Sequence, residues 1–132
     1  MSDMILFLDN DEKPATQPPP GPVRVADYRI MPWPDGTRVT VELGFTPSQQ
    51  SPALDISILS TDGRVLRTMS MVGTVERRPA PTLHLPALEH DTKLAVLIEM
   101  LEDGQVTQQI VVPFEVGGSI IKQKVEDAPP RG

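Results

Sequence analysis

The chain has 132 residues, 39% of them hydrophobic and 23% charged, which is enough for one domain with a core and too few for two. Its formal net charge of −6 argues against a protein that tracks nucleic-acid phosphates, since that task needs clustered Lys and Arg. There is no cysteine, so a disulfide framework, a thiolate nucleophile and a Cys-ligated metal site are excluded.

The first feature is an apolar run, Met4, Ile5, Leu6, Phe7 and Leu8, preceded by Asp3 instead of a basic region. It is too short for the core of a signal peptide and far too short to span a membrane, so no membrane insertion is expected and the cytoplasm is the default compartment. The run reads either as a loose terminus or as a strand that pairs with a sheet edge, its own or a neighbour's. Residues 9 to 22 break regular structure, and Pro18-Pro19-Pro20 favours an extended, stiff spacer. Residues 1–22 are therefore expected to form an N-terminal arm and Pro-rich spacer.

The residues from Val23 to Met31 read as the first strand. Val23 and Val25 have one parity and Tyr28 and Ile30 the other, so a bulge near Ala26-Asp27 is needed to bring both pairs onto one face. Trp33 lies in a turn between two prolines and is expected to cap the end of the core, with exposure as the alternative. From Thr37 to Thr46, Val39, Val41, Leu43 and Phe45 alternate with polar residues, as in a half-buried strand with one wet face.

Two runs flanking Asp62-Gly63 form a hairpin, with Leu54, Ile56 and Ile58 facing the core. Its returning strand, 64–72, carries Arg64 and Arg67 and reads as an edge. A short strand follows at 82–85, with both leucines inward. Residues 93–101 are apolar at both parities, so something is expected to cover the second face of that strand. Asp103-Gly104 turns the chain into 105–116, and Gly117-Gly118 ends the domain. Ser119 onward, including the apolar pair Ile120 and Ile121, reads as a C-terminal tail, 117–132. Two short basic spots, Arg77-Arg78 and Lys122 to Lys124, read as solvated surface.

These seven strands predict an all-β, two-sheet antiparallel β-sandwich over residues 23–116. Tight turns join neighbours within a sheet and longer loops cross between sheets. The order resembles an immunoglobulin-like or fibronectin type III-like sandwich. That resemblance implies strands 23–31, 37–46 and 82–85 in one sheet and 64–72, 54–60, 93–101 and 105–116 in the other. The hairpin ALDISILSTDGRVLRT is similar to the strand–DG–strand hairpin of bacterial immunoglobulin-like modules. The chain departs from the family pattern in having no Cys pair, no Trp in its second or third strand and no Tyr in its sixth.

Little in the chain points to catalysis. His84 and His90 are the only histidines, and the donors around His90 are sequence neighbours in a polar loop, not converging ligands. Glu99 interrupts an apolar strand and is expected to point outward or pair with an Arg on a neighbouring strand. Ser57, Ser60, Ser70 and Ser119 lie outside any Gly-x-Ser-x-Gly elbow, and no Gly-rich phosphate loop follows a strand. Asp35, Asp62 and Asp103 each precede Gly because tight turns select that pair. The expectation is a non-enzymatic protein-interaction or assembly module with no cofactor or metal, engaging a protein partner or self-associating as a homo-oligomer and binding no nucleic acid. The candidate interaction residues are Met4, Ile5, Leu6, Phe7, Leu8, Trp33, Ile120 and Ile121. The alternative is a small-ligand or carbohydrate binder that uses Trp33 and Tyr28 as aromatic platforms.

Overall fold

The computed structural model describes residues 23–73 and 77–125. The run Met4 to Leu8 lies outside the described residues. Among the described residues there are eight strands: β1 (Val25–Pro32), β2 (Arg38–Phe45), β3 (Ala53–Ser60), β4 (Val65–Val72), β5 (Thr82–His84), β6 (Lys93–Glu102), β7 (Gln105–Glu115) and β8 (Ile121–Lys124). They form two four-stranded sheets, β5-β2-β1-β8 and β4-β3-β6-β7, with every pairing antiparallel. Among the described residues no helix is long and apolar enough to cross a membrane.

The two sheets bury one parity of each strand against each other. Ile30, Val39, Val41, Ile56, Ile58, Val96, Ile98 and Val116 are completely inaccessible, and Leu54, Met100 and Phe114 nearly so. Aliphatic side chains at every second position therefore interdigitate between the sheets, the arrangement that burial of a period-2 pattern dictates. The bulge required by the first strand is present, as a register shift between Val25 and Asp27 against β2. It lets Val23, Val25, Tyr28 and Ile30 all enter the core. At the β6–β7 turn both Asp103 (φ 53°) and Gly104 (φ 77°) are left-handed, the conformation a two-residue hairpin connection demands.

Two expectations change. Ile121–Lys124, expected in a tail beyond the domain, forms β8 and pairs with β1, Ile121 opposite Ile30 and Lys124 opposite Asp27. A four-residue strand with one apolar residue carries too little alternation to stand out in sequence. Trp33, expected to cap the core, lies half-buried on the outer face of the first sheet. Its Nε1–H donates to Thr40 Oγ1 at 2.9 Å and the Arg38 guanidinium sits 4.6 Å from the ring centroid. Arg38 and Thr40 both point outward from β2, so the indole follows them.

The sheets are also tied by a side chain acting as a strand. Gln108 of β7 is 8% exposed; its Oε1 accepts from the Val25 amide at 2.8 Å and its Nε2 donates to the Val25 carbonyl at 3.1 Å. One primary amide thus satisfies both backbone groups of a residue in the opposite sheet. Gln108→Ala leaves both unpaired and is expected to lower unfolding free energy by about 1–3 kcal/mol. Gln108→Glu, which can accept but not donate, should also destabilise, and urea denaturation measures both.

Tyr28, the only tyrosine, has its hydroxyl pKa raised by burial. Folding favours the neutral phenol, so this contribution is complete below the ordinary value of about 10 and is lost as pH rises through the higher folded value. Near-ultraviolet titration of the single tyrosinate should give a midpoint above 10 in the native protein, falling back to about 10 in denaturant.

Candidate functional site

The outward parity of the second sheet is where this sandwich departs from an ordinary wet surface. Of the six large apolar residues exposed among the described residues, Val65, Val72, Val106 and Val111 all lie on this one face. Register stacks the face into rows that run across the strands. At one end Lys93 stands opposite Glu115, their charges 3.1 Å apart. The next row is apolar: Val65, Leu59, Ala95 and Pro113. Then come Thr68, Ser57, Leu97 and Val111, with the two hydroxyls hydrogen-bonded to each other at 3.2 Å. The fourth row is polar: Ser70, Asp55, Glu99 and Gln109. The last is apolar again, with Val72 beside Ala53 and Leu101 beside Val106. The cover that the two-sided apolar pattern of β6 led one to expect is not supplied by any described element, since β6 has β3 and β7 as lateral neighbours and its outward side chains stay half-exposed.

The polar row is unusual in its charge. Asp55 and Glu99 are direct cross-strand partners of like sign, a pairing that destabilises a sheet. Ser70 Oγ donates to Asp55 at 2.7 Å and Gln109 Nε2 donates to Glu99 at 2.9 Å, and among the described residues no cation reaches either carboxylate. Glu99 does point outward as expected, but toward an acid instead of an Arg.

The other sequence-predicted residues fall elsewhere. Trp33 and Ile120, far apart in the chain, are brought together with Met31 and Pro34 along a shallow groove of about 580 Å³. Ile120 is 57% exposed, while Ile121 packs against the core and serves the sheet. Tyr28 is buried and offers no open aromatic platform. His84 is exposed. His90 Nε2 is 2.9 Å from the Pro34 carbonyl, and its ring fills the space where Gly36 and Gly117 lack a Cβ, so it fastens the β1–β2 turn to the end of β7. No group of three or more metal-ligating side chains exists among the described residues.

The outer face of the first sheet is charged but largely neutralised. Arg78 bonds Asp27 at 2.5 Å and Glu42 at 3.2 Å, and Arg29 bonds Glu42 at 3.3 Å. The hydrogen bonds that Arg78 donates to Asp27 and Glu42 raise its pKa. Gly44 makes the cluster possible, because a Cβ there would meet the Arg78 guanidinium and both Asp27 oxygens within 3 Å. With Lys122 and Lys124 these groups line a hollow of about 470 Å³.

No family model matches the chain, and comparison with curated proteins finds no relative.

The Asp55–Glu99 apposition can be measured directly. Glu99→Gln keeps an oxygen for the Gln109 amide and removes the like charge, so it should stabilise the fold by about 0.2–1 kcal/mol at low salt. The gain should shrink with added salt, and thermal unfolding across a salt series reads it.

Proposed function

We propose that this protein is a non-catalytic protein-docking module that engages its partner through the outer face of the β4-β3-β6-β7 sheet. The observation that carries this reading is the confinement of four exposed valines to that face, in rows that also hold Leu59, Leu97 and Leu101. Scattered apolar residues are ordinary on a surface; a contiguous sheet face of them, interrupted by a single polar row, marks an interaction site. A sheet face suits protein recognition better than a small molecule here, because it is flat and broad and lacks converging polar groups. The carbohydrate reading has little to stand on, with Tyr28 buried and the Trp33 indole engaged by Arg38 and Thr40.

The sheet membership and the tight β1–β2, β3–β4 and β6–β7 connections also support an affiliation with immunoglobulin-like or fibronectin type III-like modules. β8 beside β1 is an addition to the seven strands that the resemblance covers.

Val65→Glu together with Val111→Glu puts charges on exposed positions and should leave the fold intact. Tagged wild-type protein is expected to retain a stoichiometric partner from the native lysate, its own untagged chain included. The double variant should lose that partner, while Lys122→Glu on the other sheet should keep it. Equal retention by all three would reject the face as the docking site.

A further inference from the structure

We infer that the partner on this face is a second copy of the same chain, joined by a two-fold axis that runs across the strands; the inference rests on the docking reading above. The reason is that the rows are complementary to themselves in only one orientation. On β6 the outward residues Lys93, Ala95, Leu97 and Glu99 are arranged symmetrically about Val96. A two-fold axis perpendicular to the strands and passing over Val96 lays one β6 antiparallel on the other. Ala95 of each copy then faces Leu97 of its mate, and Lys93 of each faces Glu99 of its mate.

The neighbouring strands obey the same operation. On β7 the axis passes over Val112, so Pro113 faces Val111 and Glu115 faces Gln109. On β3 it passes over Ile58, so Leu59 faces Ser57, and Asp55 faces Thr61 at the end of the hairpin that carries the Asp62–Arg64 ion pair. Apolar rows meet rows of apolar and mutually bonded hydroxyl side chains, and the Asp55 and Glu99 carboxylates meet the end of the face that holds the exposed ion pairs Lys93–Glu115 and Arg64–Asp62. Each contact occurs twice, as in any isologous interface.

The alternative axis, parallel to the strands, lays the Asp55–Glu99 pair of one copy on the Glu99–Asp55 pair of the other. Four carboxylates would then share one spot with no counter-charge, which electrostatics forbids. Lys93 is free to serve because its present partner is an exposed ion pair with Glu115, its side chain 73% accessible. Such pairs are weak, so exchanging Glu115 for Glu99 of the mate sacrifices little. Four strands about 4.8 Å apart and roughly eight residues long make a face of roughly 500 Å², small beside the roughly 800 Å² per partner of a standard interface. The association is accordingly expected in the micromolar range and to weaken with salt.

The test is a charge swap read by light scattering over a concentration series at low salt. Wild-type protein should rise from the mass of one chain toward that of two. Lys93→Glu and Glu99→Lys should each weaken association at least about tenfold, and the combined Lys93→Glu/Glu99→Lys variant should recover most of the loss. A double variant no better than the single ones overturns the inference, and so does wild-type protein that stays at the mass of one chain. If it stays at that mass while the Val65→Glu/Val111→Glu variant still loses a different protein from lysate, the second copy is rejected and the docking reading survives.

Discussion

The pairing of β3 with β6 is the constraint on which the rest of this structure depends. The two strands are joined through an intervening hairpin, a loop and a strand of the other sheet, yet their register decides both faces at once. Leu54 opposite Met100, Ile56 opposite Ile98 and Ile58 opposite Val96 form the centre of the core. The residues between them, by the same alternation, set Leu59 against Ala95, Ser57 against Leu97 and Asp55 against Glu99 on the outside. A slip of one residue would exchange the two sets and drive Asp55 and Glu99 into the interior. Burial of the aliphatic set therefore holds the like-charged pair in place, even though that pair opposes the sheet.

The edges of the two sheets show how the rest of the surface is kept from pairing indiscriminately. β4 carries Arg67 and is preceded by Arg64, and β8 carries Lys122 and Lys124. β5 is three residues long. Pro113 interrupts the donor pattern of β7, and at its other end the Gln108 side chain turns across to β1. Charge, brevity, proline and a cross-sheet clasp are four separate ways to discourage edge-to-edge addition. With the edges so treated, the proposed docking falls to a sheet face and not to a sheet edge.

Much of this was legible in sequence because period-2 alternation and Asp-Gly turns are local signals. Val39, Val41 and Leu43, the Asp62-Gly63 hairpin and even the bulge beside Ala26 follow from parity and turn chemistry within a dozen residues. The division of strands between sheets followed from connection length. What stayed hidden is non-local. β8 has one apolar residue and acquires its meaning only from lying beside β1. Trp33 was misplaced because its outward turn depends on Thr40 and Arg38, whose side-chain direction is fixed by β2. His90 looked like a weak metal donor, and its real role, filling the space above Gly36 and Gly117, needs the loops folded. For the candidate face, the β6–β7 hairpin alone would align Leu97 with Val111, but the opposition of Asp55 and Glu99 requires the long-range β3–β6 pairing.

The two outer faces finally differ in how they would respond to losing water. On the first sheet, Arg78, Asp27, Arg29 and Glu42 are already matched into a network, so a partner covering it would gain little charge complementarity and would have to desolvate four ions. On the second, apolar rows lie on both sides of Asp55 and Glu99, so no partner can cover both without covering the acids too. Burial there is favourable only if the partner brings a cation to that row, because an unpaired carboxylate in a dry interface costs more than the neighbouring valines return. In the proposed docking, the same two carboxylates would act as a filter. They would disfavour apolar surfaces that lack a positive charge at the right register and favour one that places Lys or Arg between apolar rows.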